Sequence, residues 1–137
     1  MSQENVELLQ TGFEVLARDG VDALLEYLTG ILEPDFEAPA PPELSVEPTT
    51  YRGPDGVRRW FESFYEVMDE IRLEPEEFID AGDHVVVPLR LSAKGQGTGI
   101  EVEQRIVQVW TLRSGRVLRM DTYVDRALAL RAAGLDS

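Results

Sequence analysis

At 137 residues the chain has the length of one ordinary folding unit, enough to bury a core and too short for two. A 43% share of hydrophobic residues beside 28% charged ones is the composition of a globular chain and not of a disordered one. The 26 acidic residues against 13 basic ones leave a formal net charge of -13, which disfavours nucleic acid and anionic membrane partners; the lack of cysteine and the single histidine exclude disulfides, thiolate chemistry and multi-histidine metal centres.

The opening residues Met1 to Asn5 lack the basic and apolar regions of a signal peptide, and no apolar run reaches bilayer length, so a cytoplasmic location is the expectation. From Gln3, the apolar residues Val6, Leu9, Phe13 and Leu16 recur at helical spacing between Glu4, Glu7, Gln10 and Glu14, and Asp19-Gly20 closes the pattern. Val21 to Leu28 reads as a second short helix, close enough in sequence to form an αα-hairpin with the first. Phe36-Glu37-Ala38 is strand-like, and the proline-rich stretch from Pro39 to Tyr51 is loop material, a candidate lid or rim. Gly53-Pro54-Asp55-Gly56 opens a third helix whose apolar stripe is Val57, Trp60, Phe61, Phe64 and Met68.

The second half changes period. β-branched runs alternate with turn signals and predict four sequential antiparallel strands, at about Arg72 to Ala81, His84 to Ala93, Glu101 to Leu112 and Val117 to Val124. Asp125 to Arg131 reads as a short final helix with Gly134 past its end. Helices followed by strands point to an α+β fold and not to a doubly wound one. A single domain over 1–137 is expected, with an antiparallel sheet around the helices and a pocket between them.

The order of elements, together with Tyr51-Arg52-Gly53-Pro54-Asp55-Gly56-Val57, Val109-Trp110-Thr111-Leu112-Arg113-Ser114-Gly115 and the corner from Tyr123 to Leu130, resembles the SnoaL-like polyketide cyclase family of the nuclear transport factor two-like superfamily. These are scaffold motifs: a helix start, a hairpin and a strand-to-helix corner. The resemblance implies a cone-shaped α+β roll, cystatin-like, with a strongly curved sheet around about three helices, a pocket at its wide end and a homodimer formed through the outer sheet face. It spans ketosteroid isomerases, epoxide hydrolases, dehydratases, cyclases and non-catalytic carriers, so the pocket residues must decide the function.

Strand alternation groups Val86, Pro88, Arg90 and Ser92 on one face of the second long strand, and this set is expected to face the pocket. Arg90 is then a lone cation for a carboxylate, enolate or phenolate, or else a partner in an internal salt bridge. On the next strand Gln104, Ile106, Gln108 and Trp110 share a face, which makes Gln108 a neutral anchor deep in the cavity or a structural link. The last strand has two registers. The amphipathic one turns Leu118, Met120, Thr122 and Val124 inward; the other brings in Asp121 and Tyr123, a pair suited to proton abstraction next to a carbonyl.

Among epoxide hydrolases of the superfamily an acid-base aspartate pairs through arginine with a second aspartate. Here Arg90 matches the arginine while Ser92 and Thr122 occupy the carboxylate positions, which argues against that reaction. Glu37, near Trp60 and Phe64, is a second candidate acid-base group, with a surface position as the alternative. His84, beside the Gly82-Asp83 turn, reads as a surface residue. The glycine-spaced run from Gly95 to Gly99 joins two strands with no helix behind it, and so reads as a hairpin tip and not a phosphate cradle. The expectation is a pocket for a small hydrophobic, carbonyl-bearing or polycyclic molecule, held by Trp60, Phe64, Arg90, Gln108 and Thr122, with no metal and no cofactor. The alternatives are a cofactor-free isomerase or cyclase using Asp121 or Glu37, and a non-catalytic dimerisation module.

Overall fold

A computed structural model of the chain describes residues 2–39 and 49–135. Helix α1 (Ser2–Asp19) and helix α2 (Val21–Thr29) form the expected hairpin, joined at Gly20 with φ of 92°. That positive φ suits only glycine at low cost. The Gly20 N–H donates to the Leu16 carbonyl and the Gly20 carbonyl accepts from the Leu24 N–H, both at 3.1 Å, so one residue ends the first helix and starts the second. Val6 and Leu9 of α1 and Leu24 and Leu28 of α2 are buried in the main core, as their helical spacing requires.

The sheet contains seven strands among the described residues: β1 (Leu32–Pro39), β2 (Thr50–Arg52), β3 (Met68–Pro75), β4 (Ile79–Ala81), β5 (His84–Gly95), β6 (Glu101–Arg113) and β7 (Arg116–Tyr123). Their order is β2-β1-β7-β6-β5-β3, with β4 also paired to β5. All pairs are antiparallel except β1 with β7. Helix α3 (Gly53–Tyr65) follows β2, and helix α4 (Arg126–Ala132) follows β7 with Asp125 as its cap, the carboxylate accepting from the Ala127 and Leu128 amides at 2.8 and 3.3 Å. The arrangement is α+β, helices first and a mostly antiparallel sheet after.

Four details depart from the sequence reading. The strand expected over 72–81 is two strands, β3 and β4, broken around Glu76 to Phe78. The cause lies across the ladder. The Pro88 carbonyl accepts from the Glu76 N–H at 2.8 Å, so Pro88 turns its backbone polar groups to this side and has no N–H to offer it. Met68, read as the end of the α3 stripe, instead begins β3. Thr50–Arg52, read as loop, pairs with Glu37 to Pro39 as β2; residues 40–48 of the supposed lid lie outside the described residues. Finally, β7 carries an extra residue between the pairs Thr111 with Arg119 and Leu112 with Val117, and this bulge reverses the alternation. Val117 and Met120 therefore both belong to the main core although their parity differs.

Two cores flank the sheet. The larger lies between α1, α2 and α3 and the inner sheet face, with Phe36, Val85, Val87, Leu89, Leu112 and Val117 almost fully buried. The smaller lies on the outer face, where Ala129 and Ala133 pack against Val86, Val107 and Val109. Among the described residues no helix is long and apolar enough to cross a membrane.

Candidate functional site: an apolar cavity with one oriented amide

The main core is not filled completely. A cavity of about 110 Å³ lies between the three N-terminal helices and the inner sheet face, lined by Leu8, Gly12, Phe13 and Leu16 of α1, Leu24, Tyr27 and Leu28 of α2, Val57, Trp60 and Phe61 of α3, and Leu91, Ile106, Gln108, Trp110, Met120 and Thr122 of the sheet. A single ordered water needs about 10–15 Å³ by this kind of measure, so the space takes more than a few waters. None of the described lining residues is Asp, Glu, Lys, Arg or His. Among the described lining residues the side-chain polar atoms are those of Tyr27, Tyr51, Trp60, Gln108, Trp110 and Thr122.

Gln108 and Trp110 lie two residues apart on β6 and so share its inner face. The Trp110 indole Nε1–H donates to Gln108 Oε1 at 2.9 Å. Gln108 is only 6% exposed. Across the ladder Gln108 is paired with Thr122, whose hydroxyl donates to the Met120 sulfur at 3.3 Å. At the helical wall Trp60 packs edge-on against Phe61 with ring centroids 4.8 Å apart, and at a tilt against Phe64 at 4.6 Å. The Tyr27 hydroxyl donates to the Leu8 carbonyl at 2.8 Å, tying α2 to α1, and burial pushes the Tyr27 phenol above its ordinary pKa.

The residues singled out in the sequence divide between two faces. Trp60, Gln108 and Thr122 line the cavity; Phe64 is buried behind Trp60 and is not part of the lining. Arg90 is on the outer face, where its guanidinium donates to Glu74 at 3.2 Å and lies 3.9 Å from Glu103, contacts that raise its pKa further, Glu74 foremost. The expected pocket face of β5 is thus the wrong one. Val87 pairs with Gln108 and Leu89 with Ile106, so the odd-numbered residues of β5 accompany the even-numbered residues of β6. Alternation within β5 could not reveal this, because Val85 to Leu89 is buried on both faces, one against the helices and the other beneath α4.

Asp121 and Glu37 also lie outside the cavity. Arg119 donates to Asp121 at 2.8 Å and to Glu37, and Arg52 donates to Glu37 at 2.9 Å, forming one ladder across β7, β1 and β2. The bond donated to Asp121 raises the Arg119 pKa, and burial, reinforced by the Asp121 charge, raises that of Tyr123. Asp121 and Tyr123 are therefore neighbours, but on the outer face. His84 hydrogen-bonds Thr111 at 3.1 Å, part-buried, and does not line the cavity. No cluster of three or more His, Asp or Glu side chains suited to a metal occurs among the described residues. The sequence reading missed the Gln108–Trp110 bond and the tyrosines Tyr27 and Tyr51. A glutamine and a tryptophan at i and i+2 of one inner strand face was the available signal for the first.

A helical layer and a mixed, mostly antiparallel sheet enclosing an apolar cavity define the nuclear transport factor two-like class. Within it, the chain belongs to the SnoaL-like domain family, whose sequence profile matches residues 9–120. Among solved structures it is similar to a nuclear transport factor two-like protein of unknown function from Burkholderia pseudomallei, with 24% identity and a TM-score of 0.74 over 93% of this chain and 95% of that one. It is also similar to TerC, crystallised with polyporic acid, with 25% identity and a TM-score of 0.73 over 96% and 98% of the two chains. A candidate SnoaL-like polyketide cyclase from Jannaschia shares 23% identity at a TM-score of 0.71, over 96% and 91%. No curated protein matches the sequence significantly.

Proposed function

We propose that the chain binds a small, mostly apolar, ring-bearing molecule with a carbonyl-type oxygen, holding the rings against Trp60, Phe61 and Trp110 and the oxygen at the Gln108 amide, with Thr122 bordering the same end of the cavity. The observation that carries this reading is the Gln108 amide, a hydrogen-bonding group in a cavity whose described lining has no charged side chain. A neutral amide can orient an oxygen but cannot accept a proton from carbon, so the reading is binding and not proton transfer. The crystallisation of TerC with polyporic acid supports a small organic molecule as the occupant.

The test is a panel of aromatic polyketides, steroids and terpenoids read by thermal shift and tryptophan fluorescence. A ligand at a hundred times its Kd stabilises the folded state by about 2.7 kcal/mol. For a chain of this size that is a rise in Tm of about 10 °C, at about 4 °C per kcal/mol. Gln108→Leu should lower affinity for carbonyl ligands about tenfold, the usual scale for one unmade hydrogen bond, while sparing hydrocarbons. Silence from every class in both readouts would refute the binding reading. The isomerase or cyclase alternative uses Glu37 or Asp121; under the binding reading Glu37→Gln and Asp121→Asn leave affinity within about twofold, since both carboxylates are held in the outer ladder.

A further inference from the structure

We propose that Trp110 is a positioning residue that sets the polarity of the site. By holding Gln108 Oε1 it turns the amide Nε2 toward the bound molecule, so the chain selects ring compounds with an acceptor oxygen over equal-sized ones with an N–H donor. The inference rests on the binding reading above. An indole N–H is a donor only, so of the two amide orientations just one makes the 2.9 Å bond. Rotating the amide by a half-turn sets two donors against each other and leaves the indole N–H unpaired. In a cavity this apolar the flipped state is rarer by roughly tenfold or more.

The other end of the amide is what remains for a ligand. Nε2 makes no hydrogen bond among the described residues, and no side-chain nitrogen or oxygen there is both sealed from solvent and unpartnered. Nε2 is therefore reachable from the cavity that Gln108 lines together with Ile106, Met120 and Thr122. The Thr122 hydroxyl donates to the Met120 sulfur, which leaves its lone pairs as a competing acceptor across the ladder from Gln108.

Three bicyclic probes of nearly equal shape isolate the effect: 1-indanone, an acceptor; indole, a donor; and indene, neither. Affinities are measured by calorimetry or NMR titration for wild type and Trp110→Phe, both also in a Thr122→Val background that removes the hydroxyl. Because each probe's hydration is the same for every variant, the wild-type-to-variant change in the indanone-to-indole ratio is the readout. The ratio should fall about tenfold in Trp110→Phe, where the amide is released to present either end, whereas loss of packing alone would weaken all three probes together. An unchanged ratio with binding intact overturns the inference and leaves the binding reading standing.

A second measurement needs no variant. On adding 1-indanone to wild type, the Gln108 side-chain NH₂ resonances should shift while the Trp110 indole N–H keeps its slow exchange. An unmoved Gln108 NH₂ in the bound state overturns the inference. If larger rings of the panel bind but none of these probes does, the inference falls alone; if nothing binds, both readings fall.

Discussion

Gly12 and Gly56 are both helical, yet replacing each by alanine should move stability in opposite directions. Alanine in a helix interior is favoured over glycine by about 0.5–1 kcal/mol, so propensity alone predicts a gain at both positions. At Gly12 an added Cβ would meet the Tyr27 ring at 3.4 Å, an ordinary contact, and nothing opposes the gain. At Gly56 the same atom would stand 2.8 Å from the Tyr51 carbonyl carbon, 3.1 Å from its Cβ and 3.2 Å from its Cα. Tyr51 is 4% exposed and held in β2, so the obstruction is buried backbone and not the end of a flexible side chain. Overpacking of that kind costs about 1–3 kcal/mol, which exceeds the propensity gain, the more so in a first turn. Chemical denaturation should show Gly12→Ala more stable by about 0.5–1 kcal/mol and Gly56→Ala less stable by about 1–2 kcal/mol, shifts of a few degrees in opposite senses on heating. A stabilised Gly56→Ala would mean that α3 does not rest on β2 as closely as described.

Asp125→Ala should cost about 1 kcal/mol by removing both cap bonds of α4, with Asp125→Asn restoring most of it, as measured by urea unfolding. Tyr27 makes stability fall in strong alkali. Burial raises its folded pKa, so its contribution is complete below the unfolded value of 10.0 and is lost as the pH rises from there through the folded pKa. Unfolding free energies from pH 9 upward should slope down, and Tyr27→Phe should flatten part of that slope.

The helical half was legible because its periodicity has one interpretation. Val6, Leu9, Phe13 and Leu16 can share a face only in a helix, and Gly53-Pro54 has the composition of a helix start. The sheet was less so where burial is two-sided. Val85 to Leu89 gives no alternation to follow, since α4 covers the outer face, and the register that decides the question is set by the β5–β6 hairpin. Gln108 and Trp110 were placed together on one face of β6 by alternation alone, since Val107 and Val109 on the other face are buried beneath α4, and Met120 and Thr122 by the amphipathic register of β7. Arg90 failed for the opposite reason: a charged residue beside a buried run reads as a pocket anchor until its partners Glu74 and Glu103, on other strands, are known. The three residues of β2 were hidden by prolines in the preceding segment, and pairing with Glu37 to Pro39 is a tertiary fact.

The parallel pairing of β1 with β7 bears on how the molecule assembles. It joins segments remote in sequence, Arg116 reaching across 84 positions to the Leu32 carbonyl at 2.8 Å. The hairpins of β5, β6 and β7 close over short spans, whereas this junction requires the chain to complete a long loop, the slower kind of contact to form. The cavity has walls from both sides of that junction, with Phe36 and Ala38 before it and Met120 and Thr122 after it. A ligand bound as proposed would therefore recognise only the finished topology, and its binding rate during refolding would time the last step of assembly.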